Sequence, residues 1–220
     1  MAETILTRNQ LKALELFKKD GELPDVFYLT GGTALTEFYL KHRTSDDLDF
    51  FTDGKEFSFS AVEKFIKDLS LEISGEARFQ KLYDRHMFFL SSWNVEPELK
   101  IEFTIYPFAH LSQLKKLGRL QVDSMLDIAA NKLMAMIERF EPKDFVDLYF
   151  LLQEKFMIGE LVEAVNKKFG FKIEPLTLGQ ELMKVRRVSF LPKMRKELSI
   201  PELQNFFLKL ARDLRPQVIE

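Results

Sequence analysis

Two acids one residue apart, Asp47 and Asp49, are the strongest chemical signal in the chain. They open Leu48–Thr52, a run predicted as a strand. Residues at i and i+2 of a strand point the same way, so both carboxylates leave one face while Leu48 enters the core. Parallel carboxylates repel each other unless a counter-charge intervenes. A hard divalent cation is such a charge, and Mg²⁺ typically takes one or two carboxylates together with substrate phosphates. The plain alternative is that Asp46, Asp47 and Asp49 are solvated or paired with Arg43. Upstream, Gly31-Gly32-Thr33 follows the short apolar run Val26–Leu29. Paired glycines let the backbone turn tightly and approach a ligand. A helix starting there aims free N–H groups and the positive end of its dipole at an anion, and Thr33 adds a hydroxyl donor. Glu102 offers a third carboxylate.

The elements that must position these groups follow from periodicity. Leu11, Leu14 and Phe17 mark a helix over residues 7–20, with Thr7 and Gln10 at capping-box spacing and Gly21 as its stop. Residues 26–29 read as a strand, 34–40 as a short helix, and Asp53-Gly54 as a turn behind the second strand. Ser58 or Ser60 caps a helix carrying Val62, Phe65, Ile66 and Leu69. Strands are predicted over 79–83, 87–90 and 99–106. The last is the clearest, because Leu99, Ile101, Phe103 and Ile105 alternate with Lys100, Glu102 and Thr104. After Ser124, spaced as an N-cap from Asp127, the pattern turns helical. Helices are predicted from 124, over 142–155, and near 158–168, 177–187 and 201–214, with Pro142 and Pro201 at first turns. Strands followed by helices predict an α+β chain with two parts, 1–120 and 121–220, and a soft boundary near 110–123.

Composition supports a folded protein. The 220 residues hold 32 Lys+Arg and 34 Asp+Glu, a formal charge of −2, and 46% are hydrophobic. That combination excludes a disordered chain, and the length supports a real core. The chain has no Cys, which excludes disulfides, thiolate catalysis and Cys-ligated zinc. No signal-like start and no long apolar window is visible, so a cytoplasmic protein without a membrane span is expected. Residues 181–220 carry nine Lys/Arg and five Asp/Glu, so the first 180 hold the negative excess. The basic end reads as a solvated helical face or as an anion-binding surface. The 22 Phe read as an aromatic core, with base stacking on a few exposed rings as the sharper alternative.

Gly31-Gly32-Thr33, thirteen residues, then Asp47-Leu48-Asp49-Phe50 resembles the first motif of the polymerase-β-like nucleotidyltransferases. The longer string GGTALTEFYLKHRTSDDLDFF resembles more narrowly the AbiEii/AbiGii toxin family of bacterial abortive-infection and toxin–antitoxin systems. The likeness continues in Asp127–Ala135, in Arg139, and in Lys143–Tyr149. It implies an α+β nucleotidyltransferase core, a mixed sheet with helices, followed by a C-terminal helical bundle that contributes to the active site. It also implies residue roles. Gly31, Gly32 and Thr33 contact nucleotide phosphates, and Arg43 is a further phosphate-binding candidate. Asp47 and Asp49 hold two Mg²⁺ ions. Glu102 stands at the third-carboxylate position, as metal ligand, base or neither. Lys132 neutralises triphosphate charge, and Asp144 positions Lys132 or the nucleotide. Without the resemblance, Lys132 reads as a surface residue, Asp144 and Asp147 as first-turn acids favoured by the helix dipole, and Arg43 as a partner of Asp46. His42, His86 and His110 show no metal spacing.

The implied reaction is transfer of NMP from an NTP to a hydroxyl of RNA, with tRNA as the acceptor, release of pyrophosphate, and a cognate antitoxin as protein partner. Two other readings stay open at this point. One keeps the chemistry and changes the acceptor to a small molecule or a protein hydroxyl. The other is a non-catalytic member that binds nucleotide or a partner.

Overall fold

In the computed structural model, residues 4–54, 57–93 and 97–214 are described. The chain divides into two compact units. The first comprises Met1–Tyr39, Ser45–Ala109 and Gln113–Ser124; the second comprises Leu40–Thr44, His110–Ser112 and Met125–Glu220. Among the described residues, no helix is long and apolar enough to cross a membrane.

The first unit is built on a seven-stranded mixed sheet. Its strands are β1 (Tyr28–Thr30), β2 (Leu48–Thr52), β3 (Gly75–Leu82), β4 (Arg85–Ser92), β5 (Leu99–Ile105), β6 (Lys115–Leu117) and β7 (Leu120–Val122). They lie in the order β3-β4-β5-β2-β1-β7-β6. The central pair, β2 and β5, is parallel, and β1 runs antiparallel to β2. Helix α1 (Arg8–Lys19) forms as its sequence predicts. Thr7 accepts from the Gln10 N–H, while the Gln10 side chain takes the Thr7 N–H. Helix α4 (Phe59–Glu72) buries Val62, Phe65, Ile66 and Leu69.

The aromatic residues explain why this sheet holds a helical layer. Phe17 stacks on Phe50 at 4.2 Å, Phe50 stacks on Phe103 at 5.3 Å, and Phe65 meets both Phe17 and Phe103 edge-on. All four rings are buried. Burial of each is worth about 1.5–3 kcal/mol, and each aromatic pair about 0.5–1.5 kcal/mol more. Strand β2 shows the consequence of period two: Leu48, Phe50 and Thr52 are buried, while Asp49 and Phe51 between them are only partly so.

Three features depart from the sequence pattern. Pro24 at a first helical turn draws Leu23–Val26 into a short helix, α2, so β1 starts at Tyr28. Helix α3 begins at Gly31 itself, not at Ala34, and spans Gly31–Leu35; it runs on as a π-helical turn, Thr36–Leu40. The π turn ends at Lys41, whose φ of 51° turns the chain sharply. The β6–β7 hairpin falls inside the stretch read as a boundary, because three-residue strands around Gly118 (φ 62°) give no alternation to detect.

The second unit is helical: α5 (Met125–Glu138), α6 (Pro142–Glu154), α7 (Ile158–Phe169), α8 (Pro175–Met183), a 3₁₀ turn Lys184–Arg187, and α9 (Ile200–Asp213). Gly170 ends α7 in the left-handed region, and Ser199 caps α9 through the Glu202 N–H. Phe145 and Phe207 pack edge-on at 5.3 Å and are buried. The predicted helix over 177–187 ends earlier, giving way to the 3₁₀ turn at Lys184. Asp127, three residues after the expected N-cap Ser124, takes the Leu111 and Ser112 N–H groups and the Lys168 ammonium at 2.6 Å.

Candidate active site

The parallel register of β2 and β5 sets Asp49 directly opposite Glu102, and the antiparallel register with β1 sets Thr30 on its other side. Directly opposed residues share a face of the sheet. Asp49 and Glu102 therefore project together, and by alternation so do Asp47, Lys100 and Thr104. The side chains of Asp47 and Lys100 are 34% and 22% exposed, that of Glu102 only 4%. The cluster thus runs from solvent inward.

Its counter-charges come from the protein. Lys100 Nζ is 2.9 Å from Glu102 Oε2 and 4.0 Å from Asp47 Oδ2. Arg85, on β4, grips both Glu102 oxygens, at 2.6 and 2.7 Å, and the Thr104 hydroxyl donates to Glu102 at 2.8 Å. Burial works against the charge on Lys100, but the carboxylates of Asp49, Glu102 and Asp47 outweigh it and raise its pKa. Burial alone would also raise Glu102. The Arg85 fork and the Lys100 ammonium reverse that and hold it down at about 2. A carboxylate saturated in this way has little tendency to take up a proton, which argues against the general-base role among the three left open for it.

Gly31 explains why the turn before α3 must be glycine. Its φ is 72°, and a Cβ there would stand 2.2 Å from Asp49 Oδ2. The acid side chain lies directly on the glycine backbone, a close approach that any other residue would block. Thr33 differs from expectation. It is buried, and its hydroxyl donates to the carbonyl of Asp47. The hydroxyl expected to contact phosphate instead pins the entry of the acid-bearing strand.

The donor set fits a hard divalent cation at Asp47 and Asp49. Both are oxygen donors on one face, and the missing Gly31 Cβ is what lets the Asp49 carboxylate take its place there. The fit is poorer at Glu102, whose oxygens already accept from Arg85, Lys100 and Thr104.

Arg43, Lys132 and Asp144 meet in the second unit. Asp147 is their hub: Arg43 holds it through two nitrogens at 2.6 and 2.7 Å, His42 Nε2 at 2.8 Å, and Lys132 at 2.6 Å. Lys132 also reaches Asp144 at 2.7 Å, and Arg139 bonds the other Asp144 oxygen at 3.2 Å. The side chains of Asp144, Asp147 and His42 are fully buried and that of Lys132 is 9% exposed. Lys132 is therefore not the surface residue its neighbours suggested, and Arg43 turns to Asp147, not Asp46. Burial opposes each charge, yet Asp147 and Asp144 raise Lys132, and Arg43 with Lys132 holds Asp147 well below the usual carboxylate range. Burial lowers His42, which the Asp147 contact only partly offsets. The cluster carries three fixed cations against two anions with His42 neutral.

Sequence reasoning missed Lys100, Arg85 and Asp147 as partners. Lys100 was legible, since it shares the Glu102 face two residues away. Arg85 needed the β4–β5 register, which places it opposite Thr104. Asp147 needed tertiary structure, because its partner Arg43 is 104 positions away.

Comparison with known proteins places the chain. A family model described as the nucleotidyl transferase AbiEii toxin of a type IV toxin–antitoxin system matches residues 15–218. Protein aq_aa25 of Aquifex aeolicus (strain VF5), described as uncharacterized, is 35% identical over 171 residues, covering 74% of this chain and 76% of its own. Two solved structures share the fold. One, from Helicobacter pylori, is provisionally described as a nucleotidyltransferase; its TM-score is 0.60 at 19% identity, covering 96% of this chain and 97% of that one. The other is MenT4, the nucleotidyltransferase toxin Rv2826c of Mycobacterium tuberculosis H37Rv. Its TM-score is 0.58 at 16% identity, over 94% of this chain and 84% of that one. An acid pair seated on a glycine turn, in a chain matched over nearly its whole length, leads to one assignment: this chain is a nucleotidyltransferase of the AbiEii toxin family.

Proposed function

We propose that the protein transfers a nucleoside monophosphate from an NTP to a hydroxyl of RNA, with tRNA as acceptor, in a Mg²⁺-dependent reaction. The reading rests above all on Asp49 lying against Gly31 in register with Glu102. Asp47 and Asp49 would hold Mg²⁺, two ions in all. Bound there, the metal would supply charge neutralisation for an in-line displacement at the α-phosphate.

The protein's own groups do the rest. The Gly31-Gly32 backbone at the start of α3 binds phosphate through its N–H groups. Thr33 fixes Asp47 by its backbone. Glu102, kept ionised, holds Lys100 in place by a 2.9 Å contact, and Lys100 in turn tempers the repulsion between the acids. Lys132 and Arg43, expected at the triphosphate, are committed to Asp144 and Asp147 and serve as positioning charges that fix the Leu40–Thr44 segment. The acceptor oxygen forms its bond to the α-phosphorus as the bond to pyrophosphate breaks, and the acceptor's proton passes to solvent. In the family's setting the protein acts in the cytoplasm and is countered by a cognate antitoxin.

The test is incubation with Mg²⁺, each α-labelled NTP in turn, and total tRNA. Label should appear on RNA and vanish when EDTA is added. Label on protein alone, or on neither, would remove the RNA acceptor from the proposal.

A further inference from the structure

The sequence singled out a basic C-terminal end, and the structure concentrates it. Lys184–Lys196, KVRRVSFLPKMRK, holds six cations and no acid. It begins as the 3₁₀ turn Lys184–Arg187 and continues without regular structure to α9. Such a stretch is ordinarily loose, but this one is tied down. The Lys193 carbonyl accepts the Thr44 N–H at 2.9 Å. The Arg195 and Lys196 N–H groups donate to the His42 carbonyl at 2.8 and 3.0 Å, and Met194 bridges to Arg43. The Gln204 side chain caps the Val188 carbonyl at 3.2 Å. Its anchor, His42-Arg43-Thr44, is the segment held by buried Asp147.

On this fixed backbone Arg186, Arg187, Lys193 and Arg195 are exposed. Between them stands Phe190, 63% exposed in a protein whose other phenylalanines so often fill the core. A shallow, open depression adjoins the strap, where Arg195, Lys196 and Ser199 stand beside the acids Glu197 and Glu202. Cations that follow a backbone, with an aromatic face among them, are the two ingredients of single-strand nucleic-acid binding. A solvated surface explains the charges but not the ring.

We propose that the strap Lys184–Lys196 is the docking surface for acceptor RNA, bound as a single strand with a base stacked on Phe190. This rests on the RNA-acceptor reading above and adds to it the element that holds the strand. Arg186 and Lys193 contact phosphates; Arg187, whose guanidinium lies 4.3 Å over the Phe140 ring, is held in place beside them.

The test uses the full chain and a fluorescent single-stranded RNA of twelve nucleotides, titrated by anisotropy between 50 and 200 mM salt. Each phosphate contact adds about 0.7 to the slope of log affinity against log salt. Arg186→Glu with Lys193→Glu should weaken binding tenfold or more and flatten that slope by about 1.4 or more. Phe190→Ala should weaken binding about tenfold at unchanged slope. All three positions are exposed, and thermal melts matching wild type confirm folding. Asp49→Asn serves as the control that separates the two readings: it should bind the RNA like wild type while transferring nothing. If the strap variants bind RNA with wild-type affinity and slope, the strap is not the docking surface, whether or not transfer occurs.

Discussion

Two ionic clusters dominate this molecule, and they are built on opposite principles. The strand cluster, Asp47, Asp49, Glu102, Lys100 and Arg85, carries three acids against two cations and opens toward solvent. The helical cluster, Arg43, Lys132, Arg139, Asp144 and Asp147, carries three cations against two acids and is closed around fully buried carboxylates. An excess of one sign in an accessible place invites a ligand of the other. Charge saturated in the interior fixes geometry. The first cluster is therefore where removal of a side chain should stop chemistry, the second where it should undo the fold.

The largest expected effect tests the first half of that contrast. Asp47→Ala should lower NMP transfer by about 10³-fold, the scale of losing a preorganised charge at a reacting phosphate. Its melting temperature should stay at or slightly above that of wild type, because the mutation relieves repulsion with Asp49. Transfer assays and a thermal melt on one preparation decide it. A marked drop in stability with transfer retained would exchange the roles assigned to the two clusters.

Asp147→Ala should do the reverse. It strands Arg43 and Lys132 in the interior without their shared carboxylate. Removing one partner of a buried pair costs about 3–5 kcal/mol, which for a chain of this length lowers the melting temperature by roughly 10 °C. Denaturant titration gives the free energy directly. A cost under about 1 kcal/mol would mean the cluster tolerates an open hub and is not what holds Leu40–Thr44 to the helices.

The two clusters also differed in how far the sequence revealed them. Asp47, Asp49 and Glu102 were legible because strand alternation is local: period two decides which side chains share a face. The same rule made β2 and β5 readable almost to the residue. Asp147 was not legible, since a buried acid and an exposed first-turn acid look alike until the partner is known, and Arg43 lies in another part of the chain. The π turn at Thr36–Leu40 and the three-residue strands β6 and β7 also escaped, being too short to set up a period. Thr33 was assigned a phosphate from its residue type, when its hydroxyl had a closer acceptor in the Asp47 carbonyl.

Glu102 belongs to the strand cluster but is buried like the helical one, and it gives the smallest and sharpest test. Its folded pKa is about 2, against 4.5 for the free side chain, so the ionised form is favoured by folding. A carboxyl depressed in the folded state stabilises the protein above its unfolded pKa, and that stability is lost as pH falls through the folded value. Glu102→Gln should thus cost on the order of 2–3 kcal/mol at pH 7. The gap from wild type should hold down to about pH 4.5 and close progressively toward pH 2. Urea melts of both proteins at several pH values measure it. A gap that changes between pH 6 and 8 would instead place a proton-exchanging Glu102 near neutrality, as a general base requires. That outcome would undo the role given to Arg85 and Lys100, because a carboxylate they saturate has no reason to titrate there.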